Sequence, residues 1–330
     1  MPSKHPFFDI SRLRLASVQG RTSRVAVTDL AVPRLGNPSF DGYEIQSLAA
    51  HIVAARAMFQ PVIFFIGAHV LKCGLGLYLR QLAAEKYVTL IASNGAATIH
   101  DFELAMFGAT SEHVGASITD GTFGLWKENE QINKIAKEAA SVKRGFGEHL
   151  GFWLSRWAAN PGVSVFAGAY ENKVPFTVHS LIGGDITHMH AGRGDGIGQA
   201  SYNDFLIFAE HLKKMQEQGG VFVNIGSAVH GPEIYLKSLS MARNVLRQDG
   251  TKPAKFTTGV LDMYPLPTNW RDGEAGENEP GYYFRPWKTI LLRSLNDGCA
   301  SYYVRGNHMV TLPALYQWIH KLERENKESA

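Results

Sequence analysis

The chain has 330 residues, 45% hydrophobic, 11% aromatic and 19% charged, which excludes a disordered or fibrous protein and supplies one large core without disulfides or metals. With 33 basic against 30 acidic residues the net charge is +3 and no long basic run occurs, so the phosphate neutralisation of nucleic-acid binding is not expected. The two cysteines, Cys73 and Cys299, lie outside any CxxC pattern; this excludes a cysteine-built zinc ribbon and fits a reducing compartment, the cytoplasm.

In chain order, residues 1–45 mix Pro, Gly, Arg and Ser without a sustained period and are expected to form an arm ahead of a single α/β domain over 46–330. The start, Met1-Pro-Ser-Lys-His, lacks a signal-peptide apolar region, and the apolar stretch Pro61 to Ala68 is far short of the ~20 residues that cross a bilayer. Ile45, Leu48, Ala49, Ile52, Ala55 and Phe59 recur at helical spacing up to Pro61 and predict a helix. The continuous apolar run Val62 to Ile66 predicts a strand covered on both faces, followed by a helix over 75–86. A second strand over 88–92 ends in the polar segment Ser93 to Asp101 and leads into a helical stretch. Residues 111–162 predict two or three helices, among them the amphipathic Glu128 to Val142. The alternation then resumes with a helix over 164–173, a strand over 175–179, a glycine-rich segment over 183–198 and a helix over 202–217. Next come a strand over 220–225, a helix to about 247, a strand over 256–261 and a long polar loop to Gly281. A helix over 288–295, a strand over 300–304 and a helix over 313–321 complete the chain. This grammar predicts a doubly wound, mostly parallel Rossmann-like sheet in one α/β domain.

Ligands of such a sheet bind beyond the carboxyl ends of its strands. Those ends read Gly67-Ala-His69, Ser93-Asn-Gly95, Gly183-Gly-Asp185, Gly226-Ser227 and Arg305-Gly-Asn307. Glycine lets backbone amides approach a ligand and a helix N-terminus favours an anion, so the set suggests a dinucleotide spread across one rim, although each glycine alone could simply turn the chain. The GxGxxG fingerprint is absent, since Gly192 to Gly198 has the wrong spacing, and this disfavours an ordinary NAD dehydrogenase. His69, His100, His188, His190 and His230 fall at or just beyond strand ends with Asp101, Asp185 and Glu233 beside them. They could serve as acid–base groups, hold a divalent metal, or merely satisfy backbone. Lys288 follows the aromatic run Pro280 to Trp287, where desolvation would lower its pKa and free an amine for imine formation; a solvated lysine at a helix start is the plain alternative.

The segment Asn160-Pro161 through Ser164 to Phe176 resembles the helix and strand before the nicotinamide-side loop of deoxyhypusine synthase. In the same order as that family's motifs stand Ile66-Gly67 with Gly74, Ser93-Asn-Gly-Ala-Ala with Asp101, and Leu181-Ile-Gly-Gly184. Gly226-Ser-Ala-Val229 with Ile234, Pro280 and Lys288 with seven residues between them, and Gly306-Asn307 with Pro313 continue the series. The resemblance implies a homotetramer that binds NAD at subunit interfaces, removes hydride from a polyamine-like amine and transfers an aminoalkyl unit through a lysine imine. Lys288 falls at the imine-forming lysine, with Glu233, His188 and His100 as further catalytic candidates. Gly67, Ser93, Asn94, Gly95, Gly184, Asp185, Gly226, Ser227 and Asn307 become the candidate NAD-binding residues.

Departures from the family are chemical ones. His188 stands where that family has an acidic polyamine ligand, Pro232 where it has a catalytic histidine, and His100 where it has a nicotinamide-side glutamate. Gly183 and Asn307 replace aspartates. A rim with fewer acids implies a less cationic substrate than a polyamine. Two rival readings are a metal-dependent hydrolase or lyase built on His100, His188, His190 and Glu233 or Asp185, and a nucleotide-binding tetramer without catalysis.

Overall fold

The computed structural model describes residues 4–190 and 194–329; the start of the chain and the beginning of the Gly192 to Gly198 run lie outside the described residues. The arm carries β1 (Ser23–Ala26). There follow α1 (Tyr43–Ala57), β2 (Val62–Ile66), α2 (His69–Lys72), α3 (Gly76–Ala84), β3 (Leu90–Asn94), α4 (Gly95–Phe107) and β4 (Ala109–Glu112). The middle of the chain forms α5 (Val114–Thr119), α6 (Glu130–Ser141), α7 (Phe146–Trp157), α8 (Val165–Glu171), β5 (Phe176–His179) and α9 (Ile197–Gln218). Beyond it lie β6 (Val221–Ile225), α10 (His230–Gln248), β7 (Thr257–Asp262), α11 (Arg293–Asn296), β8 (Ala300–Arg305) and α12 (His308–Glu328).

Six strands pair in the order β5-β3-β2-β6-β7-β8, every pair parallel. Counted along the sheet's own strands this is 3-2-1-4-5-6, the doubly wound Rossmann order, with the switch point between β2 and β6. Strand periodicity builds both cores: Val62, Phe64 and Ile66 face one layer with α1, α3, α4, α7, α8 and α12. Ile63 and Phe65 face the other, with α9, α10 and the aromatic segment around Trp287.

The arm folds back onto its own chain. β1 pairs antiparallel with β4 in the register Ser23↔Glu112 and Val25↔Thr110. This short ribbon is possible because Gly108, in the left-handed region at φ 73°, stops α4 and reverses the chain into β4.

Three local expectations change. β3 runs directly into α4, with Asn94 at the N-cap, so His100 and Asp101 lie in the second turn of a helix instead of a strand-end loop. α12 starts five residues before Pro313 because the Asn307 side chain accepts from the Met309 amide and caps it there. Residues Trp287–Leu292 form a π-helix, not an α-helix, before α11.

Asp204 on α9 ties two layers together at the sheet edge. Its Oδ2 accepts from the Gly147 amide at the start of α7 (2.9 Å) and from Val178 on edge strand β5 (2.8 Å). Burial pushes its carboxyl up to about 8. The folded value lies above the unfolded ~3.9, so the group's contribution is complete below about pH 4 and is lost as pH rises towards 8, at no more than ~1.4 kcal/mol per pH unit. Denaturant midpoints taken from pH 4 to 8 should therefore slope downward for the native chain, and Asp204→Asn should flatten that slope; an unchanged slope would count against this assignment.

Candidate functional site

At the switch point the chain closes on itself. The Gly67 amide donates to Ile225 (2.8 Å), and a Cβ on Gly67 would run into the Gly226 carbonyl. Gly226, at φ 62°, lies under the ring of His308. A Cβ on Gly95 would meet the Asp185 carboxyl, one on Gly184 the Leu181 side chain, and one on Gly231 the Asn224 amide. The candidate polar partners are engaged as well. Ser93 Oγ donates to Ile66 (2.8 Å), Ser227 Oγ accepts from the Gly231 amide (2.9 Å), and Asp185 Oδ2 accepts from the Leu181 amide (2.9 Å). The glycines thus let the chain pack against itself, and the starts of α4, α10 and α12 are covered by Asp185, Ser227 and Asn307. Asn94 Oδ1 is left buried without a partner among the described residues. The candidate cradle residues are thus packed against one another within the chain.

A hollow lies beside β3, between α2, α4, β4 and the Gly184–Ile186 turn, with a volume of about 230 Å³. That is below the 300–1,000 Å³ usual for larger ligands and suits a small molecule. Its apolar walls are Ile99, Val114, Phe123 and Ile186, and its polar lining includes Lys72, His100, Glu112 and Asp185.

Behind the wall runs a buried relay. The Arg21 guanidinium grips Glu103 in a fork, Nη1 to Oε1 at 2.6 Å and Nη2 to Oε2 at 2.9 Å. Asn129 donates to Oε1 (2.9 Å) and the Thr110 hydroxyl to Oε2 (2.7 Å). His100 Nδ1 lies 2.9 Å from Thr110 Oγ1. Because a carboxylate only accepts, the threonine spends its single proton on Glu103 and must accept from His100. The imidazole is therefore fixed as the Nδ1–H tautomer, leaving the Nε2 lone pair free. Burial holds its pKa down to about 4, against the opposing pull of Glu103, so at neutral pH this ring carries no charge.

The other predicted residues are placed elsewhere. Lys288 pairs with Glu274 (2.6 Å), with its ammonium 4.7 Å from the Tyr282 ring centre. That hydrogen bond raises its pKa, opposite to the lowering expected from an aromatic surrounding. Glu233 is held by Arg285 (2.6 Å) and Lys237, and its pKa falls. His188 Nδ1 faces the Asp185 carbonyl (3.0 Å), and its Nε2 is buried without a partner among the described residues. His190 Nε2 faces the Gly124 carbonyl (2.9 Å). Asp101 points away from the rim and caps α8 through Ser164 and the Val165 amide. Among the described residues no three His, Cys, Asp or Glu side chains are grouped to hold a metal ion.

Of the predicted residues, His100, Gly184 and Asp185 thus meet in one hollow. Arg21, Lys72, Glu103, Thr110 and Glu112 were not foreseen. The sole signal for any of them is the three-residue step from His100 to Glu103 along one helix face.

No family model and no curated protein matches the chain. Among solved structures, AgrE in ternary complex with ornithine and NAD+ is similar at 15% identity and a TM-score of 0.48 over 84% of this chain. The chain spans about a third of AgrE's length (32%). A Methanococcus maripaludis S2 protein provisionally assigned as LOR/SDH is similar at 14% identity and a TM-score of 0.49, covering 89% of this chain and 74% of that one. An Entamoeba histolytica protein provisionally assigned as a deoxyhypusine synthase is similar at 10% identity and a TM-score of 0.43, covering 84% and 89%. The likeness is one of fold. No helix among the described residues is long and apolar enough to cross a membrane.

Proposed function

We propose that the chain is an enzyme that binds a small amine in the hollow beside His100 and takes a proton from it at Nε2. The observation that carries this reading is the Glu103–Thr110–His100 relay, which ties back Nδ1 of an imidazole that lines a pocket together with Glu112 and Asp185. A base held at about 4 is poorly matched to a resting ammonium group. It is better matched to an N–H that turns acidic as positive charge grows on the substrate nitrogen. The reading is tested by incubating the full chain with monoamines, diamines, polyamines and amino acids, with and without added NAD, and following products by mass. Consumption of an amine should keep a flat pH profile down to about 5 and fall towards 4; an acid limb near 6.5, that of an ordinary histidine, contradicts it.

A second reading is the one the family resemblance implies: NAD-dependent aminoalkyl transfer through an imine on Lys288, between subunits of a cytoplasmic homotetramer. The observation favouring it is the π-helix that carries Lys288, a distortion found often at functional sites. Imine formation requires the neutral amine to attack a carbonyl carbon with loss of water, and Glu274 works against that by stabilising the ammonium. Borohydride trapping with a small aldehyde should label Lys288 more heavily in Glu274→Gln than in the native chain; equal labelling would show that the ion pair does not restrain the amine.

A further inference from the structure

We infer that the ligand of the hollow is a small amino acid, a zwitterion whose carboxylate pairs with Lys72 and whose ammonium group meets Glu112; this deepens the amine reading above and rests on it. Of the ionic groups lining the hollow, Arg21 and Glu103 neutralise each other within the wall. Lys72, half-buried on α2, makes no ion pair or hydrogen bond among the described residues. Glu112, only 9% exposed, accepts from the Gly124 amide through Oε1 (3.0 Å), while its Oε2 is buried with no partner among the described residues. One cation and one carboxylate oxygen are thus unmatched in the same small space.

Buried polar groups without partners cost free energy, so a ligand that satisfies both binds better than one that satisfies either. A plain amine would leave Lys72 unpaired and meet it as a like charge. A carboxylic acid or phosphate would meet Glu112 and Asp185 in the same way. The volume of about 230 Å³ leaves room for an amino acid with a modest aliphatic side chain against Ile99 and Ile186.

Calorimetric binding to the full chain tests this without turnover. The probes are α- and ω-amino acids of four to six carbons, each set beside its decarboxylated amine and its deaminated acid, as norvaline is beside butylamine and pentanoic acid. At least one amino acid should bind 10-fold or more tightly than both of its fragments. Lys72→Met should reduce its affinity to that of the amine, Glu112→Gln to that of the acid, and Lys72→Glu should turn the preference towards the amine. Both Lys72 variants change a half-buried side chain and keep the fold measurable by circular dichroism even if Glu112→Gln does not. Binding of the amine as tight as that of the amino acid, no binding by any amino acid, or indifference to Lys72 overturns the inference. If amine turnover still depends on His100 in that case, the amine reading survives by itself; if turnover ignores His100 while amino acids bind as described, the reading fails and the zwitterion site stands.

Discussion

Arg21→Met is expected to destabilise the protein by about 3–5 kcal/mol, the usual penalty for removing one partner of a buried ion pair. Arg21 and Glu103 have side chains only 3% and 1% exposed, so neither is screened by water. The guanidinium also lies over Trp126, 5.4 Å from the ring centre, and links the arm to α4. Without Arg21, Glu103 keeps Asn129 and Thr110 as donors but has no opposite charge. Equilibrium urea denaturation measures the loss. The double variant Arg21→Met with Glu103→Leu should recover part of it, because the stranded carboxylate is then gone. A change within 0.5 kcal/mol in Arg21→Met, the range of ordinary surface substitutions, would mean that the arm does not hold the relay.

His100→Ala should reduce amine turnover by about 10²–10⁴-fold, the range of a positioned proton acceptor. The fold should persist, since Thr110 still serves Glu103 and the vacated space opens into the hollow. A stability signature accompanies the loss. The folded pKa of His100, about 4, lies below the unfolded 6.5, so the neutral ring adds stability above about pH 6.5 that is lost as pH falls towards 4. His100→Ala should remove up to ~1.4 kcal/mol per pH unit of that dependence. Turnover retained in His100→Ala, alongside the flattened stability curve, would make His100 a buried structural residue only.

The sheet was readable because strands buried on both faces print as unbroken apolar runs. Val62 to Ile66 and Val221 to Ile225 begin and end as read, within a residue, and their alternation feeds the two cores. Boundaries set by tertiary contacts were not readable. At the start of α4, Gly95 leaves room for Asp185, distant in sequence, which occupies the space a side chain would take. The rim rule pointed to His100, Gly184 and Asp185, and the glycines read as a dinucleotide cradle are also places where the chain packs closely on itself, Gly67 against backbone and Gly95, Gly184 and Gly226 against side chains. Composition cannot separate those two uses of glycine, since both demand a missing Cβ. Arg21 was invisible for another reason. It sits in an aperiodic arm whose register with β4 joins four-residue strands separated by most of the first hundred residues, too short to carry a pattern. Lys288 has the aromatic neighbours that suggested a depressed pKa, yet Glu274, fourteen positions earlier in a polar loop, reverses the sign.

Nitrogen-detected NMR of the histidine rings at pH 7, with His100 assigned through its alanine variant, tests the centre of the account. It should show a neutral His100 with the proton on Nδ1 and none on Nε2, unchanged down to about pH 5, and an Nε2 signal that moves when an amine ligand is added. A neutral ring protonated on Nε2 would mean that Thr110 does not accept from it, and an imidazolium at pH 7 would leave Nε2 without a lone pair; either contradicts the account.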